Sequence, residues 1–188
     1  MVKNKEVNFF NKRLKEIVFN FKNLKKIENS IYKAEKLISY SLKSNKVIFC
    51  GNGGSASDAL HASAELLGKY IKKRKALNAI SLNSNISAIT AIANDYDYKK
   101  IFSRQLEGIG KKGDVVFAIS TSGKSKNIIE ILKKAKDMKI KTILLTGNNK
   151  KKFDVDLCIK APAYRVDRIQ ELHITILHLI CELIEQKI

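Results

Sequence analysis

The sequence predicts an α/β protein, a three-layer α/β/α sandwich built on a five-stranded parallel sheet and preceded by a helical N-terminal extension. Three observations predict this. Five short apolar runs recur between residues 46 and 188, and strands covered on both faces read as such unbroken runs. Segments of helical length and spacing separate them, the alternation that builds a parallel sheet flanked by helices. Residues 1–45 contain neither glycine nor proline and carry apolar residues at helical spacing. A chain of 188 residues suits a single domain, 1–188, with the α/β core over 46–188.

In the extension, Phe9, Leu14, Val18, Phe21 and Leu24 lead into Ile27, Ile31, Ile38 and Leu42. This reads as two helical segments, whose stripe must cover either the domain body or another subunit. Val47–Cys50 is a buried strand ending in Gly51-Asn52-Gly53-Gly54-Ser55, followed by a helix from about 56 to 70. Leu77–Leu82 forms a second strand, with helical segments near 84–93 and 97–109. The third strand, Val115–Ile119, ends in Ser120-Thr121-Ser122-Gly123 and enters a helix over 125–138. Thr142–Leu145 and Val155–Ile159 complete the sheet, and residues 168–185 form the last helix. Ligands of such sheets bind beyond the carboxyl ends of the strands, where both polar glycine loops fall.

Composition narrows the function. Hydrophobic residues at 45% with 29% charged describe a globular chain rather than a disordered one. No apolar run approaches the roughly 20 residues of a membrane span, and the N-terminus lacks a signal-peptide core, so a cytoplasmic protein without a membrane partner is expected. Cys50, Cys158 and Cys181 form no CxxC pair and sit in apolar stretches, as reduced core thiols do. The net charge of +18 comes mostly from lysines scattered end to end. A nucleic-acid surface would concentrate them or interleave aromatics, so the pattern argues against such a partner while favouring anionic substrates.

The first loop fits the G-x-G-x-x-G/A dinucleotide fingerprint, but no acid stands between Glu65 and Asp95 to hold a ribose. In the second, Gly123-Lys124-Ser125 resembles the end of a P-loop, yet Ala118 occupies the position of its first glycine. What remains is monophosphate chemistry. Ser120, Thr121, Ser122 and Ser125 gather four hydroxyls within six residues at a helix start, where free N–H groups favour an anion. One hydroxyl would suffice for an N-cap.

His61 and Glu65 are spaced i, i+4 and share a helix face. Gln170 and His178 point within about 80 degrees of each other on the last helix. Either pair alone could be an ordinary surface or core pair. The last helix is apolar nearly all round through Ile174, Ile176, Leu177, Leu179, Ile180, Leu183 and Ile184, so it is buried and its polar residues need partners.

These motifs together, with Asn94-Asp95 and Asp167-Arg168-Ile169-Gln170-Glu171 ahead of His178, resemble the phosphoheptose isomerases of the sugar-isomerase (SIS) domain family over nearly the whole chain. The resemblance implies an aldose–ketose isomerase converting sedoheptulose 7-phosphate to D-glycero-D-manno-heptose 7-phosphate, working as a homotetramer with active sites between subunits. It implies Zn2+ held by His61, Glu65, Gln170 and His178. Substrate contacts are expected from Asn52, Gly53, Gly54, Ser55, Glu65, Asn94, Asp95, Ser120, Thr121, Ser122, Ser125 and Gln170. The expected chemistry has Glu65 as the base at C1 and C2 through a cis-enediol, His178 as the acid at the oxygens, and zinc polarising the carbonyl. A metal-bound carboxylate is a weak base, so Glu65 would use its second oxygen or a ligand would detach. The product would serve heptose nucleotide-sugar synthesis for lipopolysaccharide or capsule. An alternative from another class is a non-catalytic SIS-domain scaffold binding a replication initiator protein, which has no need of the four-residue set.

Overall fold

The computed structural model describes residues 2–187, with side chains described from Val7 onward. Helices α1 (Val2–Lys22) and α2 (Glu28–Ser41), joined by a 3-10 turn, form the extension. The body then alternates: β1 (Val47–Gly51), α3 (Gly54–Leu67), β2 (Ala79–Ser81), α4 (Ile86–Asp95), α5 (Ser103–Ile109), β3 (Val115–Ile119), α6 (Lys126–Asp137), β4 (Lys141–Gly147), β5 (Leu157–Ala161) and α7 (Val166–Glu185). All strand pairs are parallel, in the order β2-β1-β3-β4-β5. This is the three-layer architecture expected, and none of the described helices is long and apolar enough to cross a membrane.

Strand residues alternate between two cores, as a pleated sheet requires. Val47, Phe49, Val115, Phe117, Ile143 and Leu145 face α2, α3 and α7. Ile48, Cys50, Val116, Ala118 and Leu144 face α5 and α6. Cys50 and Cys181 are buried in these cores, and burial pushes both thiols up, Cys181 to about 12. Cys158 is half-buried, and all three are free.

Most boundaries shift by a few residues, and the helix expected over 97–109 divides into a 3-10 turn, Tyr98–Lys100, and α5. Two of the differences have local reasons. β5 starts two residues later than predicted, because the Asp156 carboxylate binds the Thr142 backbone N–H (2.9 Å) and hydroxyl (3.0 Å) and holds the chain outside the ladder. β2 is only three residues long. Its pairing with β1 is extended by a side chain: Asn83 accepts from the Gly51 N–H (3.1 Å) and donates to the Gly51 carbonyl (2.9 Å).

The extension splits in exposure. Ile31 and Ile38 of α2 are buried, whereas Phe9, Phe10, Leu14, Val18, Phe19 and Phe21 of α1 lie exposed along one chain.

Candidate active site

β1 is flanked by β2 on one side and β3 on the other, and α3 and α6 leave β1 and β3 toward opposite faces. The loops after β1 and β3 therefore diverge and open a crevice between them, the usual ligand position in an open parallel sheet.

Glycine makes the first loop possible. Gly53 has φ +56, a conformation that a side chain would strain. At Gly51 an added Cβ would stand 2.3 Å from the Ser55 carbonyl oxygen. Asn52 is tied to Asn127 of α6 by two reciprocal amide bonds of 2.8 Å each. In the second loop the Ser120 hydroxyl accepts from the Gly123 N–H (3.2 Å) and lies 3.4 Å from the Ser125 hydroxyl. Ser125 is the N-cap of α6, yet its side chain makes no capping bond. Its hydroxyl meets only the neighbouring Ser120 hydroxyl, so capping does not account for it and an anion could claim it.

Asn52, Gly53, Gly54, Ser55, Ser120, Thr121, Ser125 and Gln170 line one cavity of about 220 Å³ together with Ile119 and Val166. Gln170 reaches it from α7, its amide lying over Gly54. A larger hollow of about 410 Å³ lies at the opposite end of the sheet, beside the start of β4. Its lysines Lys136 and Lys141 are already paired with Asp154 and Asp156, and it holds none of the predicted site residues.

α3 and α7 pack side by side, and their second functional group lies further along both. His61 Nε2 is 2.9 Å from Glu65 Oε1 and 3.3 Å from His178 Nε2. One ligand atom from each of the three falls within 4.8 Å of the others. The imidazoles meet edge to face with centroids 4.9 Å apart, and Tyr70 packs on the His178 ring at 5.8 Å. Two imidazole nitrogens and a carboxylate oxygen converging from two helices fit a divalent ion such as zinc. Seven residues from Gly54 to His61 and eight from Gln170 to His178 place this cluster roughly 10–12 Å along the helices from the cavity.

Gln170, expected as a zinc ligand, lies with the cavity rather than with the His61, Glu65 and His178 cluster, and three further predicted residues stand apart from both. Ser122 is exposed and receives the Lys124 N–H (3.1 Å), while Asn94 and Asp95 lie exposed at the end of α4, bonded to each other (2.9 Å). None of the three lines the cavity.

Asp58 was not anticipated. It shares the stripe of Gly54, His61 and Glu65 on α3, its Oδ2 is buried without a partner, and burial pushes its carboxyl up to about 6 against the pull of His61. The helical spacing 54, 58, 61, 65 was the available signal. Asn127 and Tyr98, whose hydroxyl donates to Asn52 Oδ1 (3.3 Å), carried none, because their partner is distant in the chain.

Comparison with known proteins identifies the family. The SIS domain family matches residues 10–147. The chain is 43% identical to a phosphoheptose isomerase of Akkermansia muciniphila over 175 residues, covering 92% of this chain and 93% of that one. It is 46% identical to one from Helicobacter pylori over 168 residues, 88% of each chain. Among solved structures, a phosphoheptose isomerase from Neisseria gonorrhoeae superposes with TM-score 0.87 at 35% identity, covering 99% of this chain and 100% of that one. One from Francisella tularensis gives 0.91 at 30%, with 96% and 98% covered. Shared sequence over nearly full length, the shared fold and the two-loop crevice lead to one conclusion: the chain belongs to the SIS-domain family, among its phosphoheptose isomerases, and is an isomerase of sugar phosphates.

Proposed function

We propose that the chain interconverts sedoheptulose 7-phosphate and D-glycero-D-manno-heptose 7-phosphate, assisted by zinc, in a homotetramer supplying heptose for nucleotide-sugar and surface-glycan synthesis. One observation carries the reading: the His61, Glu65 and His178 cluster lies along the same two helices as the hydroxyl-lined cavity. A phosphate at one place and a carbonyl at the other suits an open-chain sugar phosphate.

The phosphate end binds Ser120, Thr121 and Ser125, with the N-terminal turn of α6 adding its dipole. That anchoring orients the reacting end, where proximity lowers the barrier. Glu65 removes the proton from the carbon beside the carbonyl and returns it to the neighbouring carbon, and His178 shuttles the proton between the two oxygens of the cis-enediol. His61, Glu65 and His178 would hold zinc, which when bound supplies Lewis-acid polarisation of the sugar carbonyl. Gln170, the fourth expected ligand, would have to swing from its place over Gly54 toward His178 to join them. Asn94, Asp95 and Ser122, outside the cavity of one chain, would contribute where subunits meet. A scaffold for a replication initiator has no use for a converged metal and acid–base set.

The test is turnover of sedoheptulose 7-phosphate by the purified protein, alone, after chelation, after zinc is restored, and with Glu65→Gln. Conversion lost on chelation, regained with zinc and absent from the variant is expected. No conversion under any metal condition would sink the proposal, and near-normal turnover by Glu65→Gln would remove the base assignment.

A further inference from the structure

We infer that Asn127 is a positioning residue for the isomerisation: with Tyr98, it fixes the Asn52 carboxamide so that Asn52 presents only an N–H to bound substrate. The inference rests on the isomerase reading and extends it to residues that do not themselves touch the sugar.

A carboxamide offers two N–H donors and two carbonyl lone pairs. Three of these are committed in Asn52. Its Nδ2 donates to Asn127 Oδ1 (2.8 Å), its Oδ1 accepts from Asn127 Nδ2 (2.8 Å), and the second lone pair of Oδ1 accepts from the Tyr98 hydroxyl (3.3 Å). One N–H remains, on a residue that lines the cavity with Ser120, Thr121 and Ser125. The substrate's phosphate and sugar oxygens are acceptors, so a donor is the matching group. Asn127 itself is 2% exposed on the first turn of α6, directly after the hydroxyl loop. The amide pair thus joins the loop after β1 to the helix that the other loop enters, and sets the spacing of both across the crevice. Without Asn127 the Asn52 amide can rotate and turn its carbonyl toward an anionic ligand.

Steady-state kinetics on sedoheptulose 7-phosphate, with thermal melts alongside, test this in wild type, Asn127→Ala, Asn52→Ala, the double variant and Asn52→Asp. Loss of one oriented hydrogen bond predicts that Asn127→Ala raises KM about three- to tenfold, with kcat changed by less than about twofold. Because Asn127 acts through Asn52, the double variant should bind no worse than Asn52→Ala alone. Asn52→Asp, which has no N–H to give, should be the weakest binder. Effects of Asn52→Ala and Asn127→Ala that multiply, or an Asn52→Asp KM equal to wild type, would overturn the inference. Should Asn127→Ala fail to fold, Tyr98→Phe probes the same oxygen from the exposed side. It should raise KM in the wild-type background and leave Asn52→Ala unchanged, and equal effects in both backgrounds would overturn the role. Calorimetric binding of sedoheptulose 7-phosphate to the same set needs no turnover. Absent isomerisation by wild type therefore fails the function alone, and additive binding losses fail Asn127 alone.

Discussion

At Gly54 a single methyl group would separate activity from stability. An added Cβ would stand 2.2 Å from Gln170 Nε2, the far end of a flexible side chain that can swing aside. At Gly51 the same methyl meets the Ser55 backbone carbonyl at 2.3 Å, which cannot yield without unwinding the start of α3. Gly54→Ala should therefore melt close to wild type while losing zinc affinity or turnover by about 10- to 100-fold, the usual range for a disturbed metal environment. Gly51→Ala should melt well below wild type. Melting curves with a zinc titration check both, and a Gly54→Ala protein with wild-type zinc affinity and turnover would show that Gln170 is dispensable. At this scale the sequence was legible wherever function lies in a local run: the two glycine loops and the i, i+4 pair on α3. It was not legible where one side chain answers another across 75 residues, as Asn52 and Asn127 do. Asn94 and Asp95 are adjacent in sequence to nothing that places them, and the fold of one chain leaves them outside the cavity.

Among the elements, α7 does the most, since it lines the cavity with Gln170, contributes His178 to the cluster and fills the core with its inner face. His173 lies on that inner face, fully buried, and neither ring nitrogen has a well-formed hydrogen bond. Burial lowers its pKa from 6.5 to about 4, with the Thr146 backbone carbonyl acting weakly the other way. The folded protein holds this ring neutral while the unfolded chain takes up a proton below pH about 6.5. Stability from His173 is thus complete above that pH and drains as the pH falls toward 4, by about 3 kcal/mol. Asp58 acts with the opposite sign, because its raised pKa means that the folded state binds the proton more readily. The difference between proteins isolates His173: denaturant midpoints at pH 7 and pH 4 should fall less for His173→Gln than for wild type. Equal falls would mean that the buried ring does not set this acid sensitivity. Such a site was only half legible. An apolar helix announced that its polar residues need partners, but which of two histidines faces the core depends on where α7 lies against β4.

Over the whole molecule, the exposed stripe of α1 is the feature a single chain leaves unexplained. Phe9, Phe10, Leu14 and Phe21 are between 38% and 65% exposed, and a continuous apolar surface of this kind marks an interaction face. The proposed four-chain assembly would bury it. A charge there should be intolerable in the assembly and harmless to a lone chain, so Leu14→Asp should yield smaller species in light scattering while circular dichroism stays native. A variant that remains the size of wild type would place the subunit contacts elsewhere. The layered architecture and the parallel sheet could be read from alternating apolar runs because burial on both faces imposes that pattern, whereas the strand order could not. The choice between body and neighbour as cover for α1 could not, since the same stripe serves either.

The Asn83 amide that finishes the pairing of β2 with β1 has a further consequence, for solubility. A sheet margin is hazardous when it offers a long row of free peptide groups for a foreign chain to copy. Here the edge strand is only three residues long, and the Gly51 peptide of β1 that it leaves uncovered is closed by the Asn83 side chain. The β2 margin therefore offers a foreign chain a short template, and the carboxamide of Asn83 keeps the neighbouring Gly51 peptide from lengthening it.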